Sequence, residues 1–209
     1  MGSKDIWKTY EAYNKKLESR IWGGVGDNGA FYAIRRELCR PLKPDLTSDF
    51  AAPLDVVRQG KRFVFESEAL CFDEVAASSK SEFRRKIRTV RAGVHVFLRS
   101  LDLMNPFVSG FVSYVLLWRK SARWASSFLL ITIFVSNAFL IGQLLYAAIF
   151  GLQLIFWGIA ILGVSAGDVT DKVRTLSIPK NFMLVNIAAM CGVLACALMG
   201  NREIWTPQR

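Results

Sequence analysis

ASSFLLITIFVSNAFLIGQLLYAAIFGLQLIFWGIAILGV, residues Ala125–Val164, holds no charged side chain in 40 consecutive positions. As a single helix rising about 1.5 Å per residue it would run about 60 Å, twice the roughly 30 Å of hydrocarbon in a bilayer. One span cannot use that length, whereas a hairpin of two can. Asn137, Gly142 and Gln143 are its least apolar positions and mark the expected turn. A helix pair buried in a water-soluble protein is the alternative, and it is disfavoured because no polar stripe exists to face water.

The flanks extend the membrane pattern. The loop 167–180 carries Lys172, Arg174 and Lys180, and Pro179 opens a third apolar run, Asn181–Gly200. On the other side, Phe107–Trp118 is apolar over only 12 residues, too short to cross, and is expected to lie in the interface. Arg119, Lys120 and Arg123 then stand beside Trp118 and Trp124 as a basic and aromatic collar, the pattern of a cytosolic boundary. Three spans with both basic loops in the cytosol put the C-terminus outside.

The rest of the 209-residue chain is different in kind. Residues 1–124 carry 22 Lys and Arg against 14 Asp and Glu, while residues 125–209 carry five against three. A basic polar half is therefore fused to an apolar half. The formal charge of +10 suits nucleic acid, anionic lipid or phosphorylated substrates. No nucleic-acid motif is present, and basic residues placed before membrane segments favour lipid headgroups and a phosphate ligand. Cys39, Cys71, Cys191 and Cys196 show no metal-ligand spacing beside a histidine, which reads as free thiols in a reducing compartment. Ile6 stands where a myristoylation signal has Ser or Thr, and no N-terminal apolar run resembles a signal peptide, so the first half is assigned to the cytosol.

Within that half, Trp7, Tyr10, Leu17 and Ile21 recur at helical spacing up to Gly23-Gly24. Gly24-Val25-Gly26-Asp27-Asn28-Gly29 satisfies G-x-G-x-x-G, but a charged helix precedes it where a dinucleotide fold needs a strand. It reads instead as a turn entering a strand over Ala30–Ile34, with Asp27, Asn28 and the amides near Gly29 available to line a substrate groove. Pro41 and Pro44 break regular structure, and Thr47 or Ser48 caps a helix through Gln59. Asp49 falls in the first turn of that helix, where the dipole favours its ionised form. On spacing alone it is equally an ordinary N-terminal helix acid. Lys61–Ala69 alternates like an edge strand. Ser79 and Glu82 form a capping box, and a helix is expected from Phe83 to about Leu103, with Ile87, Val90, Val94, Phe97, Leu98 and Leu101 on one stripe. Its basic amphipathic pattern fits either a membrane surface or a face packed on the soluble core. His95, the single histidine, is expected to be structural or exposed, with no partner.

Gly29-Ala30-Phe31-Tyr32-Ala33-Ile34-Arg35-Arg36, Ser48-Asp49-Phe50, Gly60-Lys61-Arg62-Phe63-Val64, Glu68-Ala69, Glu74 and Phe83-Arg84-Arg85-Lys86-Ile87-Arg88 resemble, in that order, the C-terminal half of processive-type family 2 glycosyltransferases, the membrane-integrated relatives of cellulose and hyaluronan synthases. Arg119-Lys120-Ser121-Ala122-Arg123-Trp124 is similar to the basic segment that precedes the membrane helices in that family, and Asn186, Trp205 and Arg209 are similar to its ending. The resemblance implies an α+β fold: a partial GT-A-like cytosolic half-domain over residues 1–104, an interfacial segment over 105–124, membrane helices over 125–200 (the hairpin 125–164 and a third span 181–200), and a tail, 201–209.

It also implies roles. Asp49 matches the second acid of the family's acidic motif, which deprotonates the acceptor hydroxyl, although Ser48 stands where the family usually has another acid. Arg88 matches the arginine of the Gln-x-x-Arg-Trp motif, with Arg85 in place of Gln and Thr89 in place of Trp. Both arginines are expected on the diphosphate of a nucleotide-sugar donor, where a planar guanidinium bonds two oxygens. The implied acceptor is a glycan or a lipid-linked sugar, transfer is inverting, and the location is the plasma (inner) membrane. A divalent Mg or Mn is implied by the family, but the Asp-x-Asp pattern that binds it does not occur in this sequence. Activity is accordingly expected only with an N-terminal glycosyltransferase half or adjoining subunit. A non-catalytic membrane scaffold and a small transporter are the alternatives, the second opposed by the lack of buried charge in the spans.

Overall fold

The structure, a computed structural model, describes residues 3–24, 26, 31–69, 71, 79–166 and 174–199. Its elements are helical: α1 (Ser3–Ile21), α2 (Ser48–Arg58), α3 (Ser79–Leu98), α4 (Pro106–Ser109), α5 (Phe111–Val115), α6 (Ala122–Phe139), α7 (Leu144–Ser165) and α8 (Arg174–Met199), with a π-helical stretch, Leu116–Ser121, joining α5 to α6.

Phe111–Phe139, Leu144–Ser165 and Leu176–Met199 are long and apolar enough to cross a membrane. The hairpin turn falls at 140–143, where Asn137, Gly142 and Gln143 interrupt the apolar run. Phe134 and Phe150 close the hairpin at 5.1 Å between ring centroids, and Phe156 meets Phe182 of α8 edge-on at 5.6 Å. Ser127 donates to the Asn186 carbonyl at 2.8 Å, and Ser126 bonds the Asn186 side-chain oxygen at 3.1 Å, so polar groups of α6 and α8 satisfy each other inside the bundle. The third span begins earlier than the pattern suggested, with Pro179 inside α8. Pro179 is the sixth residue of α8 and removes one backbone bond, the one its N–H would have made to the Thr175 carbonyl.

The polar half packs around α2. Phe50, Ala51, Leu54 and Val57 of α2 are buried with Val96 of α3, Leu103, and Val112, Val115 and Leu116. The segment expected to lie in the interface is thus divided. Phe107 is 98% exposed, whereas Val112 and Leu116 are fully enclosed and belong to the long helix Phe111–Phe139. Asn105 caps α4, accepting from the Phe107 amide at 3.0 Å, with Pro106 in the first turn.

Among the described residues there is no strand, which corrects the α+β expectation at both predicted strands. Residues 31–35 and 61–66 take no regular structure and 67–68 form a bend, so neither run finds a partner ladder. The second run is claimed by α1 instead. The Phe65 amide donates to Ser19 Oγ at 2.7 Å, Arg62 Nη2 to the Ser19 carbonyl at 3.0 Å, and the Gly24 amide to the Phe63 carbonyl at 2.7 Å. A Cβ on Gly23 would stand 2.8 Å from that same Phe63 oxygen, so the close approach requires glycine. Val64 and Phe65 stay exposed because no second layer covers them.

The basic helix α3 ends at Leu98 rather than near Leu103, since Ser100 leaves helical geometry and a 3-10 turn, Leu101–Met104, follows. Its apolar stripe has two partners. Val96 and Phe97 meet α2, and Phe97 packs edge-on against Trp124 at 5.7 Å. Ile87 and Val90 press on α8 at Gly192, where an added Cβ would lie 2.7 Å from the Val90 Cβ and 2.9 Å from the Ile87 carbonyl. Packing on the core of the polar half is realised only at the Val96–Phe97 end, while Ile87 and Val90 pack on α8, a helix long and apolar enough to cross a membrane.

Candidate functional site

Asp49 occupies the first turn of α2, half-buried between exposed Ser48 and buried Phe50. Thr47 is the N-cap residue, but its hydroxyl donates to the Asp49 carboxylate and accepts no bond from a helix amide. Pro53 lies one turn on and supplies no N–H to the Asp49 carbonyl. The carboxylate is therefore oriented by its neighbour two residues back and carried on a helix whose next turn, Phe50 to Leu54, is anchored in the core.

Above this turn sits Lys120, from the π-helical stretch Leu116–Ser121 within the long helix Phe111–Phe139. Its Nζ stands 4.5 Å from the Phe50 ring centroid, a cation–π contact. A Cβ on Gly26 would come 3.3 Å from the same nitrogen, so the backbone of the glycine turn leans over it. The carboxylates of Asp49 and Glu11 act electrostatically on this ammonium. Next to it Arg119 bonds Glu18 at 2.8 Å and approaches Glu11 at 3.8 Å, fixing α1 to the same stretch. The ammonium and the aromatic face are in contact here, and the Asp49 carboxylate, one residue before Phe50, lies within electrostatic reach of the ammonium without an ion pair to it. Chemically, the carboxylate can accept a hydroxyl proton, and the ammonium can stabilise negative charge beside it.

The other expected site residues are distributed differently. Asp27, Asn28 and Gly29 lie outside the described residues, as does Glu74, although Gly26 places the start of that turn beside Lys120. Arg85 and Arg88 are exposed on α3. The α2–α3 packing is centred on Val96, eight positions beyond Arg88 and about 12 Å along the helix. No hydrogen bond or ion pair joins Asp49 to Arg85 or Arg88, so the structure does not bring the proposed base and the guanidinium clamp into contact.

Two polar clusters were not legible beforehand. His95 is not unpartnered: its Nε2 lies 2.9 Å from Asp45 Oδ2, and Arg99 Nη2 reaches the same oxygen at 3.0 Å. The His95 hydrogen bond, foremost, holds the Asp45 carboxyl below the usual carboxylate range, with the Arg99 charge adding to it. Arg58 clasps Asp102 with two bonds, at 2.8 and 2.9 Å, and this lowers the Asp102 carboxyl in the same way. Both clusters tie the ends of α2 to the end of α3. They are structural latches of the helix that carries Asp49.

Among the described residues no three His, Cys, Asp or Glu side chains converge to hold a metal ion. The neighbour of Asp49 is a cation, Lys120, which opposes a divalent ion at the same place. The described residues therefore offer no donor set for the Mg or Mn that the family resemblance implies. The four cysteines are free thiols, Cys39 and Cys71 exposed and Cys191 and Cys196 within α8. Comparison with protein-family models, with curated proteins and with solved structures finds no match to this chain.

Proposed function

We propose that this chain is the acceptor-side, membrane-anchored half of a family 2 glycosyltransferase, working with a nucleotide-sugar-binding half at the cytosolic face of the plasma membrane. In this reading Asp49 takes the proton from the acceptor hydroxyl as it attacks the anomeric carbon. Lys120 stands close enough to offset charge at that carboxylate. Arg85 and Arg88, expected on the donor diphosphate, lie on the part of α3 seated on the second half of α8, so the diphosphate is assigned to groups of the nucleotide-binding half instead.

The observation that carries the reading is the placement of Asp49: an oriented, half-buried carboxylate on a core-anchored helix turn, directly beneath the π-helical stretch Leu116–Ser121. The order of the family-like motifs along the chain supports it. A non-catalytic scaffold of a polysaccharide-synthesis assembly is the second reading, favoured by the absence of contact between Asp49 and Arg88.

The test is sugar transfer from nucleotide sugars in membranes containing this chain together with a nucleotide-binding half. Transfer is expected to require both, and Asp49→Asn is expected to lower it by about 10²–10⁴-fold, the usual contribution of a general base. Equal turnover by wild type and Asp49→Asn would remove the catalytic reading and leave the scaffold.

A further inference from the structure

The three spans enclose a groove of about 510 Å³. Leu130, Ile131 and Phe134 of α6, Trp157 and Gly158 of α7, and Met183 of α8 are among the residues that form its walls, and Ser127 and Asn186 are its only strongly polar positions. Those two are already bonded to each other, so the groove offers almost no unmet polarity. It is not sealed, because lining residues Ile131 and Leu154 remain about half exposed, at 49% and 50%. At this level the surrounding medium is hydrocarbon, and an open apolar groove that size takes up a hydrocarbon chain.

One end of the groove is cationic, and helix periodicity places the charges there. On α6, Arg123 precedes Ser127, Leu130, Ile131 and Phe134 on the same stripe, one turn beyond the groove. On α8, Lys180 precedes Met183, Ile187 and Met190 on the corresponding stripe. Lys180 is buried, and its stem crosses α7 where Gly163 has no side chain: a Cβ there would stand 3.1 Å from the Lys180 Cβ. Both cations also interact with protein groups, so an incoming anion would join an existing polar cluster. The ends match because Ser127 pairs with Asn186 and Gly163 with Lys180, which sets the Arg123 end of α6 beside the Lys180 end of α8.

We propose that this groove binds one hydrocarbon chain of a phosphate-bearing membrane lipid, with the phosphate held at the Arg123 and Lys180 end. Apolar walls select the chain, and charge-assisted bonds select the phosphate. The site does not depend on the transferase reading, since lipid binding is measured without any sugar transfer.

Gly158 makes the site testable. It lines the groove, and a Cβ there meets nothing within 4 Å, so a side chain can start from this position without a backbone clash. The full chain in nanodiscs is photolabelled with phosphatidylglycerol carrying a diazirine midway along one chain, and with the matching diacylglycerol. Labelling by the phospholipid is expected on peptides spanning 154–161 and 183–190, about tenfold above diacylglycerol, the scale of one charge-assisted bond. Gly158→Phe is expected to abolish it in protein that still melts cooperatively, Arg123→Gln to bring the two lipids level, and excess inorganic phosphate to leave it unchanged. Undiminished labelling of folded Gly158→Phe overturns the groove. Equal labelling of wild type by the two lipids overturns phosphate recognition. A crosslink between two copies across these peptides would assign the face to self-association instead.

Discussion

Gly192 is the point at which the polar and apolar halves are locked together, and Gly192→Ala tests that lock. Apolar carbons rest at about 3.5–4.0 Å from one another. The new methyl would lie 2.7 Å from both the Cβ and Cγ1 of Val90, and 2.9 Å from the Ile87 carbonyl oxygen. Two of the three obstacles belong to fixed positions, a Cβ and a backbone oxygen, so rotamer changes give little relief. The helices α3 and α8 must separate by about 1 Å, and overpacking of that kind costs about 1–3 kcal/mol. For a chain of this size the loss corresponds to a melting temperature lower by roughly 2–12 °C. The assay is thermal unfolding of the detergent-solubilised protein, paired with limited proteolysis at the arginines of α3, which become accessible as the helix lifts. Val90→Gly is expected to cost less in the Gly192→Ala background than in the wild type, because it removes the Val90 atoms that the new methyl meets but not the Ile87 oxygen. Unchanged melting and unchanged cleavage in Gly192→Ala would show that α3 does not cross α8 there.

Other outcomes follow from single sites. Leu54 is fully enclosed in the core beneath Asp49, and Leu54→Ala is expected to cost about 2–5 kcal/mol, read as lost thermal stability; a loss under about 1 kcal/mol would contradict that burial. Asp45 and Asp102 are both held below the ordinary carboxylate range, so their contribution is complete above the unfolded-state value of about 4 and is lost as pH falls through the lower folded-state values. Melting temperature should drop below about pH 4, and the double change Asp45→Asn with Asp102→Asn should flatten that acid limb; an unaltered limb refutes the latches. In α7 the side-chain oxygen of Gln153 is buried with no hydrogen-bond partner among the described residues. Removing such an acceptor by Gln153→Leu is expected to stabilise the protein by about 1–3 kcal/mol in a detergent melt, and a loss would reveal a partner for it.

What the sequence made legible is what hydropathy and helix chemistry determine locally. The charge-free run 125–164 gave both helices and the position of their turn, and Thr47 to Gln59 delimited α2 to within a residue. Properties set by distant partners were hidden. Alternation over Lys61–Ala69 is as compatible with a strand as with an irregular run bonded to a helix end, and only the presence of Ser19 and Gly24 beside it decides. His95 looked solitary because Asp45 is 50 positions away. Gly192 is one small residue in an apolar run, with nothing to mark it as the seat of α3. At the candidate site the helix turn that carries Asp49 was legible, but Lys120 was concealed between Arg119 and Arg123 as one more boundary cation.

The seating of α3 on the second half of α8 has a consequence for the surrounding lipid. Arg84, Arg85 and Arg88 face outward at that level, and on insertion scales an arginine at the bilayer centre costs about 2.5–3.5 kcal/mol. Oil cannot coat this side of the protein as it coats α6 and α7. With α6, α7 and α8 across a bilayer, the annulus would be lopsided, full thickness along the hairpin and pinched or watered beside α3.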